Sequence, residues 1–160
     1  MAITDQQVVK RAYSAIDKGA YRSAYEHILA YIFGTQRVDR GEIGMRPWFL
    51  LILAHKLNGR RESTREWHHA MRSAPDYSPL LEGDLRLREM RRCLTMGNLA
   101  RAQGLRQQIA QLHRGDLERM LKYWEAVATL HTLARHHAKA KHTHTMIAGH
   151  RRKLERQASS

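Results

Sequence analysis

"KGAYRSAYEHILAYIF", residues 18–33, opens on a Lys-Gly step, sets Ala24 five residues after Gly19, and continues as a helix-period apolar run. The fold turns on whether this is a lone amphipathic helix or one copy of a unit. The same arrangement recurs: "KLNGRRESTREWHHAM" has Asn58 and Ser63, "LTMGNLARAQGLRQQI" has Gly97 and Ala102, and "LARHHAKAKHTHTMI" has Arg135 and Ala140. The small residues at 24, 63, 102 and 140 are 39, 39 and 38 apart. Such a near-constant period indicates stacked supersecondary units.

The spacing has a physical reading. Gly or Asn ends a helix because it accepts the left-handed conformation at little cost. The next helix folds back, and a small side chain is needed where two axes cross closely. Twelve residues before each small residue stand Ala12, Leu51, Met90 and Ala128. Each unit is then a helix–turn–helix hairpin that buries its apolar face only by stacking. Separators are expected at "FGTQRVDRGEIGMRP" (33–47), at Pro75 and Pro79, and at "HRGD" (113–116). No segment alternates strictly between apolar and polar residues, so no strand is expected.

The pattern resembles the tetratricopeptide repeat (TPR). Copy two, "PWFLLILAHKLNGRRESTREWHHAMRSAP", carries the likeness best, with small Ser63 and Ala70 and closing Pro75. "GAYRSAYEHILAY" and "GNLARAQGLRQQI" match in copies one and three, and Trp124 and Ala128 open copy four. The period exceeds the usual repeat length, and copy three puts Arg86 and Glu89 where apolar residues belong. The expected fold is all-α, a TPR-like α-solenoid of about four antiparallel helix hairpins over residues 1–150, with 151–160 as a basic C-terminal tail. A generic helical bundle is the competing reading.

The resemblance implies a concave groove lined by the first helix of each hairpin. By position it would be lined by Val9, Tyr13 and Ile16, then Met45, Trp48, Ile52 and His55, then Leu87, Arg91 and Thr95. The Lys and Asn carboxylate clamp of chaperone-binding members is missing, with Val9/Tyr13 and Trp48/Ile52 in its place. Such a lining suits an apolar or amphipathic segment of another protein, with Tyr13 and Trp48 as anchors. Aromatic residues at helical spacing are also what a core needs.

Charge supplies the other reading. Among 160 residues there are 28 Lys and Arg against 15 Asp and Glu, a formal net charge of +13. This excess favours polyanions or acidic proteins as partners. "RLREMRR" (86–92) places Arg88, Arg91 and Arg92 on one helix, and "GHRRKLER" supplies Arg151, Arg152 and Lys153. Several long cations on one exposed face are what phosphate binding requires. No homeodomain, zinc-finger or RNA-recognition signature accompanies them, so sequence-specific readout is not expected.

The remaining motifs point away from catalysis. There is no paired-carboxylate constellation, glycine-rich phosphate loop or nucleophilic serine context, so a non-enzymatic protein without cofactor is expected. Six histidines fall within residues 131–150, none four residues from another and with only Glu155 nearby, so a metal site is not expected. They suit a basic face that gains charge on mild acidification. Cys93 stands alone, suiting a buried thiol and a reducing, cytoplasmic setting. No basic head and apolar run open the chain, and no stretch is apolar enough to span a membrane. The leading expectation is an adaptor or chaperone-like module that holds a partner segment in the groove. The alternative is a nucleic-acid-binding helical protein using its arginine-rich face.

Overall fold

Several helices of this chain begin or end where local chemistry satisfies their free backbone groups. A computed structural model describes residues 3–34 and 43–159. Among these there are eight helices and no strand: α1 (Asp5–Asp17), α2 (Tyr21–Phe33), α3 (Met45–Leu57), α4 (Arg65–Arg72), α5 (Pro79–Thr95), α6 (Leu99–Leu112), α7 (Leu117–Leu133) and α8 (His137–Ser159). Thr4 and Gln7 form a reciprocal capping box at the start of α1. Asn98 and Asp116 cap α6 and α7 by accepting from the backbone of Arg101 and Arg119. Pro79 opens α5, where its missing N–H costs nothing.

Four turns share one hydrogen-bond pattern. At the first, Gly19 N–H donates to Ile16 and Ala20 N–H to Ala15. The pattern recurs as Gly59 to Lys56 with Arg60 to His55, Gly97 to Leu94 with Asn98 to Cys93, and Arg135 to Thr132 with His136 to His131. In each, the second residue after the helix is left-handed, with φ of 77°, 73°, 77° and, at Arg135, 60°. The two bonds satisfy carbonyls the helix would otherwise leave open. The left-handed residue of the second turn is Gly59; Asn58, expected there, ends α3 at φ −82°.

The second turn also corrects the expected repeat. Helices α2, α6 and α8 begin two residues after the left-handed residue, whereas α4 begins six after it. The four extra residues leave Ser63 exposed before α4, its Oγ accepting from Arg65 N–H. Ala24, Ala102 and Ala140 are buried in their helices as expected, but Ser63 is not a crossing residue. Helix starts are accordingly uneven, and the equal spacing at 63 is coincidental. The expected separator at 33–47 lies partly outside the described residues.

The chain divides into two compact units, residues 1–78 and 79–160. In the first, α1, α2 and α3 pack together and α4 packs on α3. Val8, Ala12, Ile16, Ile28, Ile32, Leu50, Leu51 and Met71 are fully enclosed. Two carboxylates from distant positions hold the start of α3: Gly44 N–H donates to Asp5 and Met45 N–H to Asp76, at 2.7 and 2.8 Å. In the second unit, α5 packs on α6, both on α7, and α7 on α8. Its core runs through Leu87, Met90, Cys93, Ala102, Ile109, Tyr123, Val127 and Leu130. Arg86 and Glu89, which break the repeat pattern, are buried but paired: Arg86 with Glu82 at 2.8 Å, Glu89 with Arg101 at 3.2 Å. The pairing compensates charges that burial alone would penalise. Gly83 lies so close to the buried His113 ring that a Cβ there would stand 2.3 Å from Nε2. Residues 151–159, read as a tail, continue α8.

Candidate functional site

The apolar groove set is mostly interior. In the first unit, Ile16 and Met45 are fully enclosed, while Tyr13, Trp48, Ile52 and His55 are buried and Val9 half-buried. Trp48 meets Phe33 edge-on at 5.9 Å. His55 packs between the rings of Tyr25 and Trp67, and its Nε2 lies 3.2 Å from Glu62 in the extended second turn. That proximity helps hold the Glu62 carboxyl below its ordinary range, behind a hydrogen bond from its own backbone. In the second unit Leu87 is buried as well. These side chains are core, which corrects their reading as an accessible lining. α3 is apolar on nearly every side, and a helix of that kind is enclosed rather than left with an open face.

Two members of the set are accessible, and they mark a real depression. Arg91 and Thr95 of α5, with Leu94, face Glu125, Ala126 and Thr129 of α7 across a hollow of about 370 Å³. A second hollow of about 590 Å³ lies between α7 and α8, lined by residues that include Glu125, Thr129, Leu133, His144, Ala148 and Arg151. Glu125 and Thr129 belong to both, and Arg151 pairs with Glu125 at 3.5 Å. Arg91 and Arg151, taken from different basic trios, thus border the same trough with one carboxylate between them.

The rest of the trios separate. Arg88 is exposed and Arg92 half-buried on α5, and both have partners within the protein. Arg152 and Lys153 are exposed on α8. Only Ala140, Thr143 and Ile147 of α8 are buried, so its packed side is a narrow strip. Opposite that strip, helical geometry aligns Lys141, Arg152 and Arg156, spanning about 22 Å along the axis, with Lys153 beside them. No ion pair among the described residues joins these four to a carboxylate. Lys141 and Arg156 were missed as site residues. The signal was their register: 141 and 152 are three turns apart, and 152 and 156 one turn.

Other chemically suggestive residues are accounted for by packing. Cys93 donates to Glu89 at 3.6 Å, and burial first, then the Glu89 charge, pushes its thiol up to about 11. A thiol so raised is not a nucleophile at neutral pH. Burial also raises the Glu89 carboxyl. His113 is fully enclosed, its Nε2 near Leu80 carbonyl and Asp84. Arg119 is gripped by Asp84 and Asp116, whose hydrogen bonds hold its proton more firmly. Among the described residues no three of His, Cys, Asp and Glu converge as metal ligands, and no helix is long and apolar enough to cross a membrane.

No protein-family model, curated protein or solved structure matches this chain.

Proposed function

We propose that this protein is a non-enzymatic binding module of TPR-like helical hairpins whose α8 takes up polyanions, nucleic acid above all, through the phosphate backbone. The shared hydrogen-bond pattern of the four turns supports the repeat architecture. The observation that carries the binding reading is the outer face of α8, where Lys141, Arg152, Lys153 and Arg156 stand exposed without an ion pair among the described residues. Cations left unpaired along about 22 Å of rigid helix can each engage a phosphate and release its counterion. Nothing about the face reads base edges, so binding is expected to be sequence-independent.

The test is anisotropy of a fluorescein-labelled 20-nucleotide RNA at rising salt. Log affinity is expected to fall linearly with log salt, at a slope of about −3 for four single-strand phosphates engaged. Absence of binding at low salt, or binding indifferent to salt, overturns the reading.

The trough along α7 favours a second reading, capture of a partner segment. Its lining, with Ala126, Ala128 and Leu133 beside Arg91 and Arg151, suits an acidic amphipathic helix, one form of the apolar or amphipathic segment expected from the sequence. Such capture persists in salt to the extent that apolar burial drives it.

A further inference from the structure

The residues that lengthen the second turn bring a short basic motif with them. The chain holds three Arg-Arg pairs, at 60–61, 91–92 and 151–152, and only the first is followed by a hydroxyl two residues on, at Ser63. "RRES" (60–63) thus sets guanidinium groups three and two residues before a serine. Kinases that select basic substrates read such a charge pattern with carboxylates along the peptide cleft.

A kinase needs its substrate segment accessible and free of secondary structure, and the fold supplies both. Arg60, Arg61, Glu62 and Ser63 are exposed and lie outside any helix. Among the described residues no backbone–backbone hydrogen bond holds Arg61, Glu62 or Ser63. The Arg60 guanidinium lies 4.7 Å over the Tyr25 ring and 3.9 Å from Glu62. Surface contacts of this kind are weak, so a set of kinase carboxylates can draw it away. Glu62 is turned towards His55 at 3.2 Å, and Ser63 Oγ accepts only from Arg65 N–H, at 3.3 Å.

Placement separates Ser63 from the other hydroxyls that follow an arginine. Ser14, Thr95 and Ser159, each three residues after an arginine, lie within α1, α5 and α8. Thr64, three residues after Arg61, is half-buried with its Oγ1 against the His68 ring at 3.2 Å.

We propose that Ser63 is a phosphorylation site for an arginine-directed serine kinase, carried by the insertion that sets the second turn apart from the other three. Ser63 Oγ attacks the γ-phosphorus of ATP. The new P–O bond forms as the bond to the β-phosphate oxygen breaks, ADP leaves, and the hydroxyl proton passes to the catalytic aspartate of the kinase. The phosphoserine then stands among Arg60, Arg61 and Arg65, which can meet it with charge-assisted hydrogen bonds. The inference is independent of the polyanion reading, because it uses no residue of α8.

The test uses the folded full chain, Mg-ATP and the catalytic subunit of cyclic-AMP-dependent protein kinase, an arginine-directed enzyme, with sites mapped by mass spectrometry. One phosphate per chain is expected, on Ser63, and Ser63→Ala should take up none. Arg60→Gln and Arg61→Gln should each lower kcat/KM about tenfold or more, the loss of one charge-assisted contact to the kinase. Both side chains are exposed, and matching melts show that the variants are folded. The folded chain should react within about tenfold of the kcat/KM of a free peptide spanning residues 58–66, because so little structure must open. Phosphate chiefly on another residue, rates indifferent to both arginines, or incorporation only after heat unfolding would overturn the assignment.

Discussion

Helices α3 and α8 are opposite uses of the same secondary structure. Of the 13 residues of α3, ten from Met45 to His55 are buried, and aspartates tie its start in place. Of the 23 residues of α8, three are buried, and its first turn holds no acid. The contrast extends to the units that contain them. Residues 79–160 hold 16 of the 28 Lys and Arg but only 7 of the 15 acids. The lesson is that aromatic and aliphatic residues, attractive as anchors, are the interior here, while the accessible chemistry is cationic.

The most severe substitution tests the α3 side. Trp48→Ala should cost about 3–5 kcal/mol of stability in urea unfolding, the range for a truncated core aromatic. Arg152→Ala on α8 should change stability by no more than about 0.5 kcal/mol. A Trp48 variant as stable as wild type would return that residue to the surface and restore the apolar groove.

Next come the turns. Ala24→Leu and Ala102→Leu should each cost roughly 1–3 kcal/mol by overpacking, whereas Ser63→Leu should stay within about 0.5 kcal/mol. Thermal melts of the three variants check this. Equal losses at all three would mean that residue 63 is a crossing residue after all and that the four-residue insertion is misplaced.

A weaker effect follows from pH. Burial, then Arg11, lowers the proton affinity of His27, as burial and its basic neighbours do for His131. The unfolded chain therefore takes up protons at these positions more readily than the folded one, so stability rises with pH in this window. The melting temperature should fall as pH drops below about 6.5 towards the lower folded values. His131→Gln should reduce that acid loss without altering the melt at pH 8. A melting temperature that rises on acidification to about pH 5.5 in wild type, or an acid loss unchanged in His131→Gln, would refute the assignment.

The sequence made the helices and most of the turns legible because local chemistry decides them. Gly19, Gly97 and Arg135 each fall where a left-handed residue ends a helix, and Ala24, Ala102 and Ala140 are buried as their spacing requires. Register across an insertion was not legible. "RRESTR" lengthens the second turn, and a fixed period placed the crossing residue at Ser63, before α4 begins. Spacing also shows which residues share a face but not what covers that face. Trp48, Ile52 and His55 share one side of α3 by their spacing, and all three are buried. Arg86 and Glu89 read as breaks in the pattern because their partners, Glu82 and Arg101, become neighbours through helix turns and packing.

Whether the outer face of α8 engages phosphates can be decided by removing its cations while keeping its fold. The salt dependence of RNA affinity is compared between wild type and the triple variant Lys141→Gln/Arg152→Gln/Arg156→Gln, with both shown to melt alike. The log–log slope should become shallower by about 2, close to 0.7 for each single-strand phosphate that is no longer neutralised. An unchanged slope in a folded triple variant would refute the assignment, because the cations that bind RNA would then lie elsewhere.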